Sequence, residues 1–326
     1  MKHLIGLPHD FSYHAVVGFS ICKETIINHV PKVCDAAGNL LVSKIDAIND
    51  DFVGGTSYDV ALAMKKTFDF NVKLVASVGK DPYGPNRMYI QTHVTAQGLE
   101  FEALDVKTGT SVGTIVIEEG KPPYILSFKT PYEDYPIETI KRHVELSKPA
   151  ITLATGVMAE EAGMVHALFS THRQAPSILN PRINLITNRD TFHTILEQTS
   201  LLVLNHEELA AYHGLTILEN EVSQENLMPL HGAGVKWIIV TCNEHGAILS
   251  CPTHNLWIHQ PRIQFGEVED KTGAGDSFLS AVVAAILNDK DPAEVMRWGA
   301  VMAGLKIRRR GGANIPSKEE FIQALK

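Results

Sequence analysis

The chain has 326 residues, 44% hydrophobic, 20% charged and 7% aromatic, and its 29 Lys and Arg against 37 Asp and Glu leave a formal charge of −8. That balance argues against bulk nucleic-acid binding, which takes most of its affinity from a positive field. No apolar run approaches the roughly 20 residues that span a bilayer, so no membrane partner is expected. Cys22, Cys34, Cys242 and Cys251 form no C-x-x-C pair. They fit neither a disulfide scaffold nor a zinc site and suit a reducing compartment. Pro8, His9 and Asp10 break the N-terminal apolar stretch, so no signal peptide is expected and the expected location is cytoplasmic.

In chain order, the first predicted strand is His14–Ile21, followed by a less periodic stretch over Cys22–Asp51. Gly54-Gly55-Thr56 leads into a helical spacing over Tyr58–Phe68. Val72–Val78 reads as a buried strand and Pro82–Gln97 as the next helix, a rhythm of parallel βαβ units. The stretch Phe101–Phe128 departs from it: Ser111–Glu118 and Tyr124–Phe128 read as a hairpin that forms a small separate sheet with Asn39–Phe52. Strands then follow at Ile151–Ala154, Ser177–Leu179, Leu201–Leu204 and Trp237–Val240. Helices are expected around Glu138–Leu146, Ala159–Thr171 and Glu207–His213. Ala247–Ser250 and Leu256–His259 suggest antiparallel edge strands, and Gly273–Leu287 and Pro292–Leu305 the last long helices. The picture is one α/β domain over 1–326 with a small β insertion built from about 37–53 and 101–129.

The most informative segment is Asp270-Lys271-Thr272-Gly273-Ala274-Gly275-Asp276, which opens the apolar helix SFLSAVVAAIL. Its glycines let the backbone approach a ligand closely. The helix start offers unpaired N–H groups and the positive end of the dipole, an anion hole suited to phosphate. Asp276 at its mouth can take a proton from a hydroxyl attacking that phosphate. Taken alone, Asp276 reads as a helix cap; the whole string makes that reading the weaker one.

With this string the chain resembles the ribokinase-like (PfkB) carbohydrate kinase family, whose C-terminal signature is D-T-x-G-A-G-D. Gly54-Gly55 before a helix is similar to the family's glycine pair, and Ser77-Val78-Gly79-Lys80-Asp81-Pro82-Tyr83-Gly84 to its V-G-x-D-x-x-G turn. Leu179-Asn180-Pro181, Asn205-His206-Glu207-Glu208 and Thr241-Cys242-Asn243-Glu244-His245-Gly246 resemble its L-N-P, N-x-x-E and T-x-G-x-x-G segments. The resemblance implies a three-layer α/β/α sandwich with a small β-sheet lid. It also implies ATP-dependent phosphorylation of a primary hydroxyl on a small sugar or sugar derivative, and a homodimer.

Carried over, Asp276 is the base, and Gly273, Ala274 and Gly275 donate N–H groups to the transferring phosphate. Asn205 and Glu208 hold Mg²⁺ through water, and with Thr241, Asn243 and Gly246 they shape the nucleotide side. Asp270 is assigned to a monovalent cation such as K⁺. Taken alone, Asn205 reads as a cap on an acidic helix start. The acceptor side falls to Lys23, Gly54, Gly55 and Asp59, and here the pattern breaks, because the family's Asp and Asn stand as Lys23 and Asp59. Either these two pair across the rim and the acceptor is an ordinary sugar, or Lys23 meets an anionic group such as a sugar acid. A nucleoside kinase and a non-catalytic nucleotide- or sugar-binding regulator are the alternative readings. The basic run Lys306–Arg310 reads as charge complementing a helix end, with a contribution to nucleotide phosphates as the alternative.

Overall fold

Alternating side chains along the central strands decide the architecture. Leu201, Val203, Trp237 and Ile239 enter one apolar core, while their neighbours Leu202, Leu204, Ile238 and Val240 enter another. A strand apolar on both faces must be covered on both faces, which is the property of a parallel sheet wrapped by crossover helices.

The computed structural model describes residues 5–8, 11–19, 21–28, 48–79, 85–106, 110–116, 124–128 and 136–326. The first half runs β1 (Tyr13–Phe19), β2 (Cys22–Asn28), β3 (Ile48–Gly54), α1 (Thr56–Lys66), β4 (Val72–Gly79), α2 (Pro85–Ala96), β5 (Glu100–Val106), β6 (Val112–Val116) and β7 (Tyr124–Phe128). Next come α3 (Ile137–Ser147), β8 (Pro149–Val157), α4 (Ala162–Thr171), β9 (Ser177–Pro181), α5 (Ile183–Thr187), α6 (Arg189–Leu196), β10 (Leu201–Asn205), α7 (His206–His213) and α8 (Gln224–Gly232). The chain ends with β11 (Trp237–Thr241), β12 (Ala247–Cys251), β13 (Leu256–Gln260), α9 (Ala274–Leu287), α10 (Pro292–Lys306) and α11 (Lys318–Ala324).

The large sheet has the order β13-β12-β11-β10-β9-β8-β1-β4-β5, and only the two pairings of β12, with β11 and with β13, are antiparallel. From β1 the chain winds outward through β4 and β5, then returns to β8 and winds the other way through β9, β10 and β11. The reversal between β1 and β8 opens a crevice at the carboxyl ends of the strands. Residues of α1 and α9 fill the core on one face, with α9 also packed on α10, and residues of α3, α4, α6, α7 and α8 fill the other. The α/β/α sandwich expected from the sequence is the observed one, including the antiparallel edge.

The small sheet has the order β3-β2-β6-β7, and its β6–β7 hairpin matches the predicted one. Its membership otherwise differs from the sequence reading. Residues 101–106 belong to β5, which pairs parallel with β4 along seven positions and forms an edge of the large sheet. Their place is taken by β2, whose Lys23, Glu24 and Thr25 hid a strand paired on both sides, antiparallel with β3 and parallel with β6. Residues 37–47 of the expected insertion lie outside the described residues. Two of the sheet's connections to the body are short: residues 20 and 21 separate β1 from β2, and Gly55 alone separates β3 from α1.

Candidate active site at the start of helix α9

The carboxyl ends of β8, β9, β10 and β11 converge on the first turn of α9. Gly273 precedes it with φ 75, and no side chain caps the first-turn amides. The Ala274 N–H donates to Lys271 O (3.2 Å), while the Gly273 and Gly275 N–H groups have no hydrogen-bond partner among the described residues and stay open to an anion, with the dipole adding partial positive charge. Only glycine serves at 273 for two reasons: the positive φ, and the approach of Gly312, whose Cα would lie 2.9 Å from a Cβ there. Asp270 shapes the loop ahead of the helix: its Oδ1 accepts from the Thr272 N–H (2.8 Å) and its Oδ2 from the Gly311 N–H (2.8 Å). Burial pushes the Asp270 carboxyl up, but these bonds and Lys306 outweigh it and hold its pKa below the usual value.

Asp276 lies in that first turn, half-buried. Burial raises its pKa from 3.8 to about 7; Arg182 opposes the rise, Glu24 adds to it and Lys306 opposes it. A carboxylate poised near neutrality has the basicity a general base needs. Behind it stands Asp59 of α1, 6% exposed, with Oδ1 lacking a hydrogen-bond partner. Burial raises its pKa well above the usual value, and the charges of Asp276 and Glu24 add to this. Glu24 on β2 is raised by burial as well. A Cβ at Gly54 would run into its carboxyl, and one at Gly312 would run into Asp59 Oδ2. Gly54 is thus the surface against which Glu24 rests; Gly54, Gly55 and Asp59 are not among the residues that line the second cavity. Gly55, at φ 107, is the N-cap of α1 and sets the entry of the helix that carries Asp59.

At the end of β10, Asn205 and Glu208 cap α7 reciprocally. The Asn205 N–H donates to Glu208 Oε2 (2.8 Å), and the Glu208 N–H donates to Asn205 Oδ1 (2.8 Å). Both the cap reading and the site reading hold, since both residues line a cavity containing Asp276. Burial raises the Glu208 pKa to about 7, and the Asn205 N–H partly offsets it. Its Oε1 has no hydrogen bond among the described residues. A carboxylate oxygen of this kind fits the needs of a Mg²⁺ ion, which keeps several waters and binds through one or two carboxylates plus substrate phosphates. Among the described residues no group of three His, Cys, Asp or Glu could hold a metal ion by itself.

Two cavities meet here. One, of about 260 Å³, is bounded by Thr241, Asn243, Gly246, Ala274, Phe278 and Gly304 among others. Asn243 takes the left-handed conformation (φ 43) expected of the residue that replaces a loop glycine. Gly246 (φ 87) lets the loop pack on the strand end, where a Cβ would lie 2.7 Å from the Arg262 nitrogen. The other cavity, of about 580 Å³, holds Thr56, Gly156, Asn180, Arg182, Asn184, Glu208 and Asp276. Asn205, Thr241 and Gly275 line both. The open amides thus stand between two chambers, with the base in the second.

The structure brings together the predicted Gly273, Ala274, Gly275, Asp276, Asn205, Glu208, Thr241, Asn243 and Gly246, with Asp59 buried behind them. Lys23 lies on β2 opposite Val53 and Val112, and its side chain lies outside the described residues. Residues 80–84 of the V-G-x-D-x-x-G turn lie outside them too. Two residues of the site carried no sequence assignment, and a third was read differently. Arg182, next to the L-N-P segment, lines the second cavity and forms no ion pair among the described residues. Glu24 adds a carboxyl beside Asp276. Lys306, read as charge at a helix end, is 0% exposed. Its sequence signal was the apolar face it shares, since Met302, four residues earlier on the same helix, is buried too.

Comparison with known proteins places this geometry. A family model, pfkB family carbohydrate kinase, matches residues 51–319. The ribokinase of Arabidopsis thaliana is 28% identical over 133 residues, 40% of this chain and 35% of that protein. The bifunctional protein HldE of Pseudomonas fluorescens is 30% identical over 126 residues, 39% of this chain and 26% of that protein. The chain thus spans about a third or less of the length of these curated relatives. The structure of Arabidopsis thaliana ribokinase complexed with ribose and ATP superposes with a TM-score of 0.74 at 18% identity, covering 97% of this chain and 99% of that one. A nucleoside kinase of Methanocaldococcus jannaschii, an archaeal member of the ribokinase family, gives 0.71 at 17% identity with the same coverage. Both show a shared fold. No helix of the described residues is long and apolar enough to cross a membrane.

Proposed function

Because the chain belongs to the pfkB family of carbohydrate kinases, we propose that it transfers the γ-phosphoryl group of ATP to a primary hydroxyl of a small sugar or sugar derivative. The observation that carries this reading is the first turn of α9 standing between two cavities with Asp276 on the side of the second. A nucleotide in the first cavity presents its terminal phosphate to the amides at 273–275, and an acceptor in the second presents its hydroxyl to Asp276.

Phosphoryl transfer asks mainly for positioning and charge. Asp276, near pKa 7, takes the hydroxyl proton. The amides of Gly273, Ala274 and Gly275 receive charge on the moving phosphoryl oxygens. Asn205 and Glu208 would hold Mg²⁺, which when bound would neutralise phosphate charge. Thr241, Asn243 and Gly246 bound the nucleotide side, and Gly54, Gly55 and Asp59 stand behind the acceptor side. Arg182 meets whatever negative charge enters the second cavity, the phosphoryl group or an anionic acceptor. The small sheet serves as a lid, and its β3 and β7 edges, without strand neighbours among the described residues, supply a homodimer contact.

The test is ADP release from Mg·ATP over sugars, sugar acids, sugar phosphates and nucleosides, with Asp276→Asn alongside. Acceptor-dependent release that vanishes in the variant supports the kinase. ATP binding without release for any acceptor overturns it in favour of a nucleotide-binding regulator.

A further inference from the structure

Lys306 ends α10 with no exposed surface, and a buried ammonium persists only where partners compensate for lost water. Its Nζ donates to Arg309 O at 3.1 Å. Burial lowers its pKa from the usual lysine value; the carboxyls of Asp270, Asp59 and Asp276 oppose that fall, and Arg309 adds to it. The turn that follows is packed against the back of the anion hole: Gly312 touches Gly273 and Asp59, and the Gly311 N–H holds Asp270.

We propose that Lys306 is the resident cation of the anion hole, its ammonium standing beside Asp270 where a monovalent cation would bind, so that the chain needs no such ion. The inference deepens the kinase reading and rests on it for its purpose, a fixed positive charge behind the amides that receive the phosphoryl group.

The oxygens at this turn do not fit the cation expected at Asp270. A bound ion must replace its hydration shell with several oxygens at once. Here both Asp270 oxygens already accept backbone N–H groups at 2.8 Å. Ile307 O accepts from Glu269 (2.8 Å) and Asp270 (3.1 Å), and Lys306 O accepts from Arg309 (3.0 Å). Arg309 O is taken by the Lys306 ammonium itself. Ile307 O has both lone pairs engaged, and an incoming ion would have to share the remaining acceptors with these donors next to a like charge. A covalently tethered ammonium gives the same electrostatic help without binding entropy, and backbone amides backed by a positive charge favour an anion more strongly.

The experiment uses the full chain exchanged into tetramethylammonium chloride and titrated with K⁺, Na⁺ or Tl⁺ at constant ionic strength. Expected are no saturable thallium-205 resonance shift, melting midpoints equal in K⁺ and Na⁺, and a Mg·ATP affinity that changes less than about twofold between them. Saturable Tl⁺ binding, or stabilisation by K⁺ over Na⁺, overturns the proposal. Lys306→Met, which keeps the apolar stem, is expected to weaken Mg·ATP binding about tenfold or more. Lys306→Ala, which opens space, is expected to recover part of that loss in K⁺ or methylammonium. A folded Lys306→Met protein that binds Mg·ATP like the wild type overturns the charge role. The thallium and melting measurements need no nucleotide, so a wild type that fails to bind ATP refutes the kinase reading separately.

Discussion

Asp276→Asn separates what the carboxyl does for chemistry from what it costs the fold. Its pKa rises from 3.8 to about 7 in the folded chain, mainly through burial. The folded protein therefore keeps a proton that the unfolded chain releases between these values. The stability gained from that proton is full below about pH 4 and is lost as pH rises through about 7. Roughly three pKa units correspond to about 4 kcal/mol, the ceiling of what a neutral isostere recovers above pH 7; Arg182 and Lys306, which lose a partner, reduce it. In a chain of this length each kcal/mol moves the melting midpoint by about 2 °C. The variant should melt several degrees above the wild type at pH 8 and close to it at pH 4.5. Turnover should fall by about 10² to 10⁴, the usual contribution of a general base, with Mg·ATP affinity held. Differential scanning calorimetry at the two pH values and coupled ADP release read both halves. An equal melting shift at both pH values refutes the desolvated carboxylate, and unchanged turnover refutes the base.

Turnover of the wild type should rise with pH through about 7 as Asp276 ionises, and Glu24→Gln, which removes a charge that raises this pKa, should move that limb to lower pH; a limb that moves upward contradicts the assigned interaction. Arg182→Gln should slow transfer at least about tenfold, a loss expected when a charged hydrogen-bond donor is removed from a phosphoryl site. Compared across acceptors, equal loss on neutral and acidic substrates assigns Arg182 to the phosphoryl group, loss confined to acids assigns it to the acceptor, and no loss on either removes it from the site. Gly312→Ala forces a methyl group into Asp59 Oδ2 and should cost about 1–3 kcal/mol by overpacking together with most of the activity; chemical denaturation with a wild-type midpoint would show that the contact relaxes freely.

The parts of the site readable in the sequence are those built from consecutive residues. The string from Asp270 to Asp276 carries its own geometry, since the glycines and the helix start are local features. Asn205 and Glu208 lie three positions apart on one helix cap, so their pairing is local too. Arg182, Glu24 and Lys306 come from the end of β9, from β2 and from the end of α10, and meet Asp276 only once the sheet has formed. Lys306 shows the difficulty best: the run of basic residues around it advertises solvent, while burial is decided by the turn folding back onto Gly273. In the fold, the βαβ rhythm and the antiparallel edge follow from periodicity. The sheet to which β5 belongs does not, because a strand's partners are recorded in other segments. In β2, charged residues masked a strand that is paired on both sides.

The connections of the small sheet bear on how it can move. The β2–β3 part of the sheet, joined to the body through one glycine on one side and two residues on the other, has few backbone torsions at those joints, and Gly55 adjoins the helix bearing Thr56 and Asp59. Any swing of the sheet is thus transmitted as torque on the first turn of α1, while β2 takes Glu24 with it. Domain position and the local electrostatics around Asp276 are then one mechanical coordinate. Gearing of this kind would tie the proton affinity of Asp276 to the position of the small sheet.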